Sequence, residues 1–297
     1  SVLSQSYANL ECIIVDDGST DNSVEIIKSY IEKDNRVKLI SKTNGGLPST
    51  RNEGIKKAKG DYLAFLDSDD LWKKDKLTNQ IAAFKANPQV GIVFSGSIYF
   101  DQNSELSRSN LIKEISFLDL LAGNPIPGCS SSIMLKSEVF STVGLFDNDL
   151  RSAEDQDFLF RCALSGYRFF SVHEHDVLIR KHSESMLANF LKMYYNNMYC
   201  FEKNLKLLQV SDKIKADTKK EFKKSIIKRL HSVRWHARSL LRFDLIFYTY
   251  YRSFQLAGFL FLTDTIFWDS LFYDLKLYLG KLKRSYLPKE NLKKKYI

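Results

Sequence analysis

Cysteine is scarce: Cys12, Cys129, Cys162 and Cys200 are the 4 among 297 residues, and no two share a short spacing. That excludes a disulfide framework and a thiolate zinc cluster, and it fits a reducing compartment. No glycine-rich, lysine- or arginine-bearing phosphate loop is visible near the start, which argues against a nucleotidyltransferase. No stretch of about 18 uncharged apolar residues occurs, so a simple membrane-spanning helix is not predicted. Repeats of fixed period are also missing. Acidic residues are short in the last third. Residues 186–297 hold 23 Lys and Arg against 9 Asp and Glu, whereas residues 1–185 hold 21 against 26. The net charge of +9 therefore belongs to the C-terminal part. Such asymmetry points to a tail that meets an anionic surface.

What is present is a chain able to bury a core, with 44% hydrophobic and 13% aromatic residues. Cys12–Val15, Val37–Ile40, Tyr62–Leu66 and Gly91–Phe94 are short apolar runs, predicted as strands. Between them, 21–34, 47–59 and 73–87 carry helical periodicity. Continuous apolar strands alternating with helices read as βαβ units, an α/β fold with a mostly parallel sheet covered on both faces. Ser19 or Thr20 can cap the first helix, and Gly60 can stop the second. Further on, 125–128 reads as a loop, Ser131–Leu135 as a strand and Glu154–Leu164 as a helix. Two short strands are predicted at 168–172 and 177–181. From about 186 glycine and proline nearly vanish, so the spacing predicts two parts, 1–186 and an all-helical 187–297.

Ligands of such sheets bind beyond the carboxyl ends of the strands. Two acidic clusters fall there. Val15–Asp21 reads VDDGSTD, which suits a strand-to-helix turn and equally suits an Asp17 that accepts hydrogen bonds from a nucleotide base. Phe65–Trp72 reads FLDSDDLW. Three carboxylates so close raise one another's pKa, and a divalent cation removes that penalty. His173-Glu-His175 places two imidazoles on one strand face without a third ligand, too little for a metal site.

VDDGSTDNS, then Asn44–Gly54 (NGGLPSTRNEG), then Gly60–Asp70 (GDYLAFLDSDD) resemble the family 2 glycosyltransferases of the GT-A fold. Glu154-Asp-Gln-Asp157 matches the family's acidic motif, and Leu178–His182 is similar to its arginine-histidine segment. The resemblance covers residues 1 to about 186. It implies a metal-dependent, inverting transfer from a nucleotide-sugar, a UDP-sugar by preference, to an acceptor hydroxyl. By position it implies Asp155 as catalytic base and Glu154 as a shaper of the acceptor site. Asp17, Arg51, Asp67 and Arg180 would bind the donor. Asp69, Asp70 and His182 would form the metal site for Mn2+ or Mg2+. Each has a plainer reading: Arg51 as a solvated helix residue, His182 as structural, Glu154 and Asp155 as acids at a helix N-terminus.

The acceptor implied is a glycan or lipid-linked sugar, as in bacterial surface polysaccharide synthesis, with a cytoplasmic enzyme at the inner face of the plasma membrane. Residues 203–242 carry 13 Lys and Arg against 3 acids, and 243–279 hold 13 aromatics. A helical bundle and an attachment of 203–297 to anionic membrane are equally compatible with that pattern. Nucleic acid is not expected, because no recognition motif accompanies the charge. A nucleotidyltransferase and a non-catalytic nucleotide-sugar-binding protein are the alternatives. Finally, Ser1–Tyr7 resembles the end of the family's first helix. This implies an N-terminally truncated chain, lacking a strand and half a helix, about 20 residues at typical element lengths, that as it stands binds donor poorly and is inactive or nearly so.

Overall fold

The computed structural model describes residues 1–101, 104–112, 115, 117–122, 124–150, 152–182, 199–208, 217, 246, 250–251 and 271–279. The chain forms two compact units, Ser1–Lys206 and Leu207–Ile297. The boundary expected near residue 186 lies outside the described residues, as does most of the basic tail. Described residues of the second unit are helical, and Tyr250 Oη donates to Asp274 Oδ2 at 2.6 Å there. Among described residues no helix is long and apolar enough to cross a membrane.

The described residues of the first unit form two sheets. β1 (Cys12–Asp16) and β2 (Val37–Ser41) pair in parallel, from Cys12 opposite Val37 to Asp16 opposite Ser41. The intervening α1 (Ser23–Ile31) buries none of its residues, and the apolar side chains of β1 are only half-buried. α2 (Leu47–Lys57) follows Gly46, whose φ of 83° is comfortable only for glycine, and carries Pro48 in its first turn.

The second sheet has six strands. β3 (Tyr62–Ala64), β4 (Leu71–Trp72), β5 (Val90–Phe100) and β6 (Glu105–Arg108) are joined by α3 (Lys76–Ala86). α4 (Phe117–Ala122), α5 (Cys129–Ser132), β7 (Ile133–Lys136), α6 (Glu138–Val143), α7 (Glu154–Leu164) and β8 (Arg168–Arg180) complete the unit. The order is β3-β7-β5-β8-β4, with β6 on β5. Ile92 and Phe94 of β5 enter a core with Phe140, Phe146 and Phe158. Val93, between them, enters the opposite core with Trp72, Leu77, Ile81 and Phe84. That alternation is the strand period of two, with both faces covered.

The α/β expectation holds, and three details are corrected. The larger sheet is mixed: β3–β7, β5–β7, β5–β6 and β4–β8 are antiparallel, and only β5–β8 is parallel. Apolar runs reveal that both faces are covered but carry no information on strand direction, which the connections set. The two short strands expected at 168–172 and 177–181 are one strand, β8. Ser95 faces Val172 while Gly96 faces His175, so β8 bulges at His173-Glu174 and the polar pair interrupts nothing. Residues 1–11 contain turns and no helix. Gln5 is buried there, its side chain donating to Lys73 O and accepting from Leu77 N.

Candidate functional site

The acidic turn follows β3 and closes with Asp70 N donating to Asp67 O at 3.1 Å. β4 then pairs with β8, Leu71 opposite Leu178, which brings the end of β8 over the turn. Arg180 N donates to Asp70 Oδ1 at 3.1 Å, and Arg180 Nε to Asp69 O at 3.1 Å. His182 Nε2 lies 2.9 Å from Asp69 Oδ2. The three carboxylates thus part company. Asp67 turns to Arg51, Asp69 faces solvent beside His182, and Asp70 is buried. Burial pushes the Asp70 carboxyl up to about 6, while Ser131 and Arg180 N pull it down.

Arg51, on α2, is buried between two acids. Its Nη1 reaches Glu154 Oε1 at 2.6 Å and its Nη2 reaches Asp67 Oδ1 at 2.9 Å. Burial works against its charge, but Asp67 and Glu154 hold its pKa above the ordinary arginine value. Glu154 opens α7 directly after Ala153, which sits at φ 64°, a region costly for a residue with a side chain. Burial and the neighbouring Asp155 charge push the Glu154 carboxyl up to about 7, against the pull of Arg51. Asp155 Oδ2 accepts from Asn124 Nδ2 at 2.7 Å, and its Oδ1 from Gln156 N at 2.8 Å. Asp157 is fully buried, paired to Arg161 at 2.8 Å and Lys203 at 2.9 Å. Of the three acids on α7's first turn, Asp155 alone is paired with no cation in these contacts.

At the end of β1, Asp17 spends both carboxylate oxygens on the following loop. Oδ1 accepts from Lys42 Nζ and from Gly45 N at 2.9 Å, and Oδ2 from Gly46 N at 2.8 Å. Burial alone would raise its pKa, yet Lys42 and the two backbone N–H groups hold it below the ordinary range. His175 Nε2 lies 2.9 Å from Ser109 O. Among described residues no three of His, Cys, Asp and Glu stand together as a self-sufficient metal cage.

The structure thus brings Arg51, Asp67, Asp69, Asp70, Glu154, Arg180 and His182 into one contact network, with Asp155 beside Glu154. Asp17 anchors a separate loop. A cavity of about 540 Å3 is lined by Val90, Tyr167, Arg168 and His173 at the far end of β5 and β8 and touches none of these residues.

The glycosyl transferase family 2 profile matches residues 1–144. EpsE of Bacillus subtilis is 31% identical over 189 residues, 62% of this chain and 67% of EpsE. The chain belongs to glycosyl transferase family 2. An uncharacterized glycosyltransferase of Haemophilus influenzae is 44% identical over 126 residues, 42% of this chain and 50% of that protein. The chain spans about half the length of the curated relatives it matches first. Among solved structures, a mannosyltransferase from Pyrobaculum calidifontis in complex with GDP-Man and Mn2+ has a TM-score of 0.58 at 18% identity, covering 96% of this chain and 76% of that one. S. aureus TarS 1-349 with UDP-GlcNAc has a TM-score of 0.55 at 18% identity, covering 87% and 84%. These likenesses speak for the GT-A fold.

Within this family 2 chain, sequence reasoning missed Ser131, Asn124 and Lys42. The sequence pattern makes Ser131 the first residue of the strand Ser131–Leu135, whereas it lies on α5 just before β7. Asn124 and Lys42 lie just outside the segments to which that pattern gives a role, the loop at 125–128 and the strand at Val37–Ile40.

Proposed function

We propose that the chain catalyses inverting transfer of a sugar from a nucleotide diphosphate-sugar, a UDP-sugar by preference, to an acceptor hydroxyl. The observation that carries this reading is Arg51, which ties Asp67 of the acidic turn to Glu154 beside Asp155. A donor-phosphate grip and a proton acceptor thereby belong to one arrangement. Asp155 takes the acceptor's proton as the hydroxyl attacks the anomeric carbon, and the leaving diphosphate departs from the opposite face. Asn124 and Gln156 N keep both Asp155 oxygens in fixed directions, which supports in-line attack. Glu154, held by Arg51, shapes the acceptor side.

The residues fit a divalent cation shared with substrate. Asp69 offers an exposed carboxylate beside the His182 imidazole, and Asp70 braces from below. Two protein donors leave room for phosphate oxygens, the usual arrangement for Mg2+ at such sites. An imidazole partner makes Mn2+ the better match of the two. When bound, the cation neutralises charge on the departing diphosphate. Asp17 and its loop form the base side of the donor site. The basic, aromatic sequence of 203–297 supports an acceptor carried at an anionic membrane, as in surface polysaccharide synthesis.

The test is sugar transfer or donor hydrolysis from UDP-glucose, UDP-galactose, UDP-GlcNAc and GDP-mannose in Mn2+, followed by mass spectrometry. Asp155→Asn keeps the shape and loses proton acceptance, so turnover falls by about 10² or more with donor affinity retained. Unchanged turnover would remove Asp155 from the role.

A further inference from the structure

We infer that Ser131 is a positioning residue for the acidic turn: its buried hydroxyl joins the backbone of Asp67 to the carboxylate of Asp70, leaving Asp69 exposed for the cation-bridged diphosphate. The inference deepens the donor-binding reading above and rests on it.

Ser131 has no solvent exposure. Its Oγ accepts from Asp67 N at 3.1 Å and donates to Asp70 Oδ2 at 2.7 Å. A hydroxyl has one proton to give, so this geometry commits that proton to Asp70. One oxygen atom thereby links the first and last residues of the turn, whose own closure is the single bond from Asp70 N to Asp67 O at 3.1 Å. The carbonyl of Ser131 accepts from Trp72 Nε1 at 2.8 Å, fixing the strand that leaves the turn. Three polar contacts from one residue thus reach positions 67, 70 and 72.

The brace is rigid because of where it stands. Ser131 lies on α5, directly before β7, and Met134 of β7 pairs with both Ala64 of β3 and Val93 of β5. The turn leaving β3 and the serine beneath it are therefore held by the same sheet. Close approach of α5 is permitted by Gly128, where an added Cβ would fall 2.2 Å from Ser97 Oγ. Asp69 keeps 42% of its side-chain exposure, and although Asp67 keeps 38%, its carboxylate is taken by buried Arg51. This is the division of labour expected of a turn in which two acids are fixed so that the third can bind.

The experiment is calorimetric titration of UDP, with Mn2+ and with a chelator, into the parent, Ser131→Ala, Ser131→Cys and Ser95→Ala. Ser95 is also fully buried, and its Oγ meets Gln80 Nε2 at 3.3 Å. Ser95→Ala therefore controls for loss of a core hydroxyl elsewhere in the same sheet. Expected for Ser131→Ala is about tenfold weaker UDP binding in Mn2+, or about 1.4 kcal/mol, with the affinity in chelator unchanged. Ser131→Cys, with a weaker donor of similar shape, falls between. Ser95→Ala lowers Tm and leaves both affinities as in the parent. Parent-like Mn2+-dependent affinity in Ser131→Ala overturns the inference; should that variant not fold, parent-like affinity in Ser131→Cys does so. Equal weakening by Ser95→Ala overturns it too, since loosening of the core would then suffice. A parent that binds no UDP in Mn2+ sinks the donor-binding reading itself, and the inference with it.

Discussion

The two acidic loops at strand ends solve the same electrostatic problem in opposite ways. At the end of β1, Asp17 is neutralised inside its own loop by Lys42 and two glycine N–H groups. At the end of β3, Asp67 is matched by buried Arg51 and Asp70 by Ser131 and a backbone N–H, while among the described residues the Asp69 carboxylate meets His182, 2.9 Å away. The first loop is electrostatically closed and holds its own shape. The second has one acid left over. A fold retains an unmatched acid at the cost of like-charge repulsion, and the proposed return is a cation with its diphosphate.

The cations differ as much as the acids, and substitution can expose it. Arg51→Met leaves Glu154 and Asp67 without their buried partner. A loss of about 3–5 kcal/mol is expected from breaking such a buried pair, measured as the urea midpoint. A loss below about 1 kcal/mol would mean that Arg51 is not the clamp described.

A second expectation concerns a buried lysine against Trp72. Lys76 is fully buried, with Nζ 2.8 Å from Gln80 Oε1 and 4.1 Å from the centre of the Trp72 ring. Burial lowers its pKa to about 7, whereas an unfolded lysine titrates near 10.4. Between those values the unfolded state binds more protons, so this residue's contribution to stability rises from pH 7 toward pH 10. Lys76→Met removes that rise. The parent gains on the order of 2–4 kcal/mol over the variant across that interval. Parallel stability profiles would contradict a buried, titrating lysine.

The smallest effect belongs to the closed loop. Lys42→Met removes one partner of a largely buried pair whose acid keeps two backbone N–H donors, and costs about 1 kcal/mol. It changes UDP affinity by the same factor in Mn2+ and in chelator. A selective loss in Mn2+ would blur the distinction between the two loops.

Much of this comparison was legible in the sequence, for identifiable reasons. Strand ends announce themselves where an apolar run meets Asp, and order along the chain placed Asp17, Asp67–Asp70 and Glu154–Asp157 as separate clusters. The family resemblance rested on those same residues. Which acid would be spent and which left over was not legible. Lys42 reaches Asp17 across 25 positions, Arg51 reaches Glu154 across 103, and Ser131 reaches Asp70 across 61. Such pairings depend on tertiary placement and leave no local periodicity. Strand direction escaped for the same reason. β7 runs against both of its neighbours, although its apolar sequence would suit either direction.

The measurement that tests the account most directly is UDP affinity with Mn2+ and with chelator in Asp69→Ala and Asp17→Asn, by calorimetry. The account predicts that Asp69→Ala binds UDP equally in both conditions, the Mn2+ advantage having vanished. Asp17→Asn should bind more weakly in both while keeping the parent's ratio. A Mn2+ advantage that survives in Asp69→Ala, or disappears in Asp17→Asn, would contradict the assignment of open and closed loops.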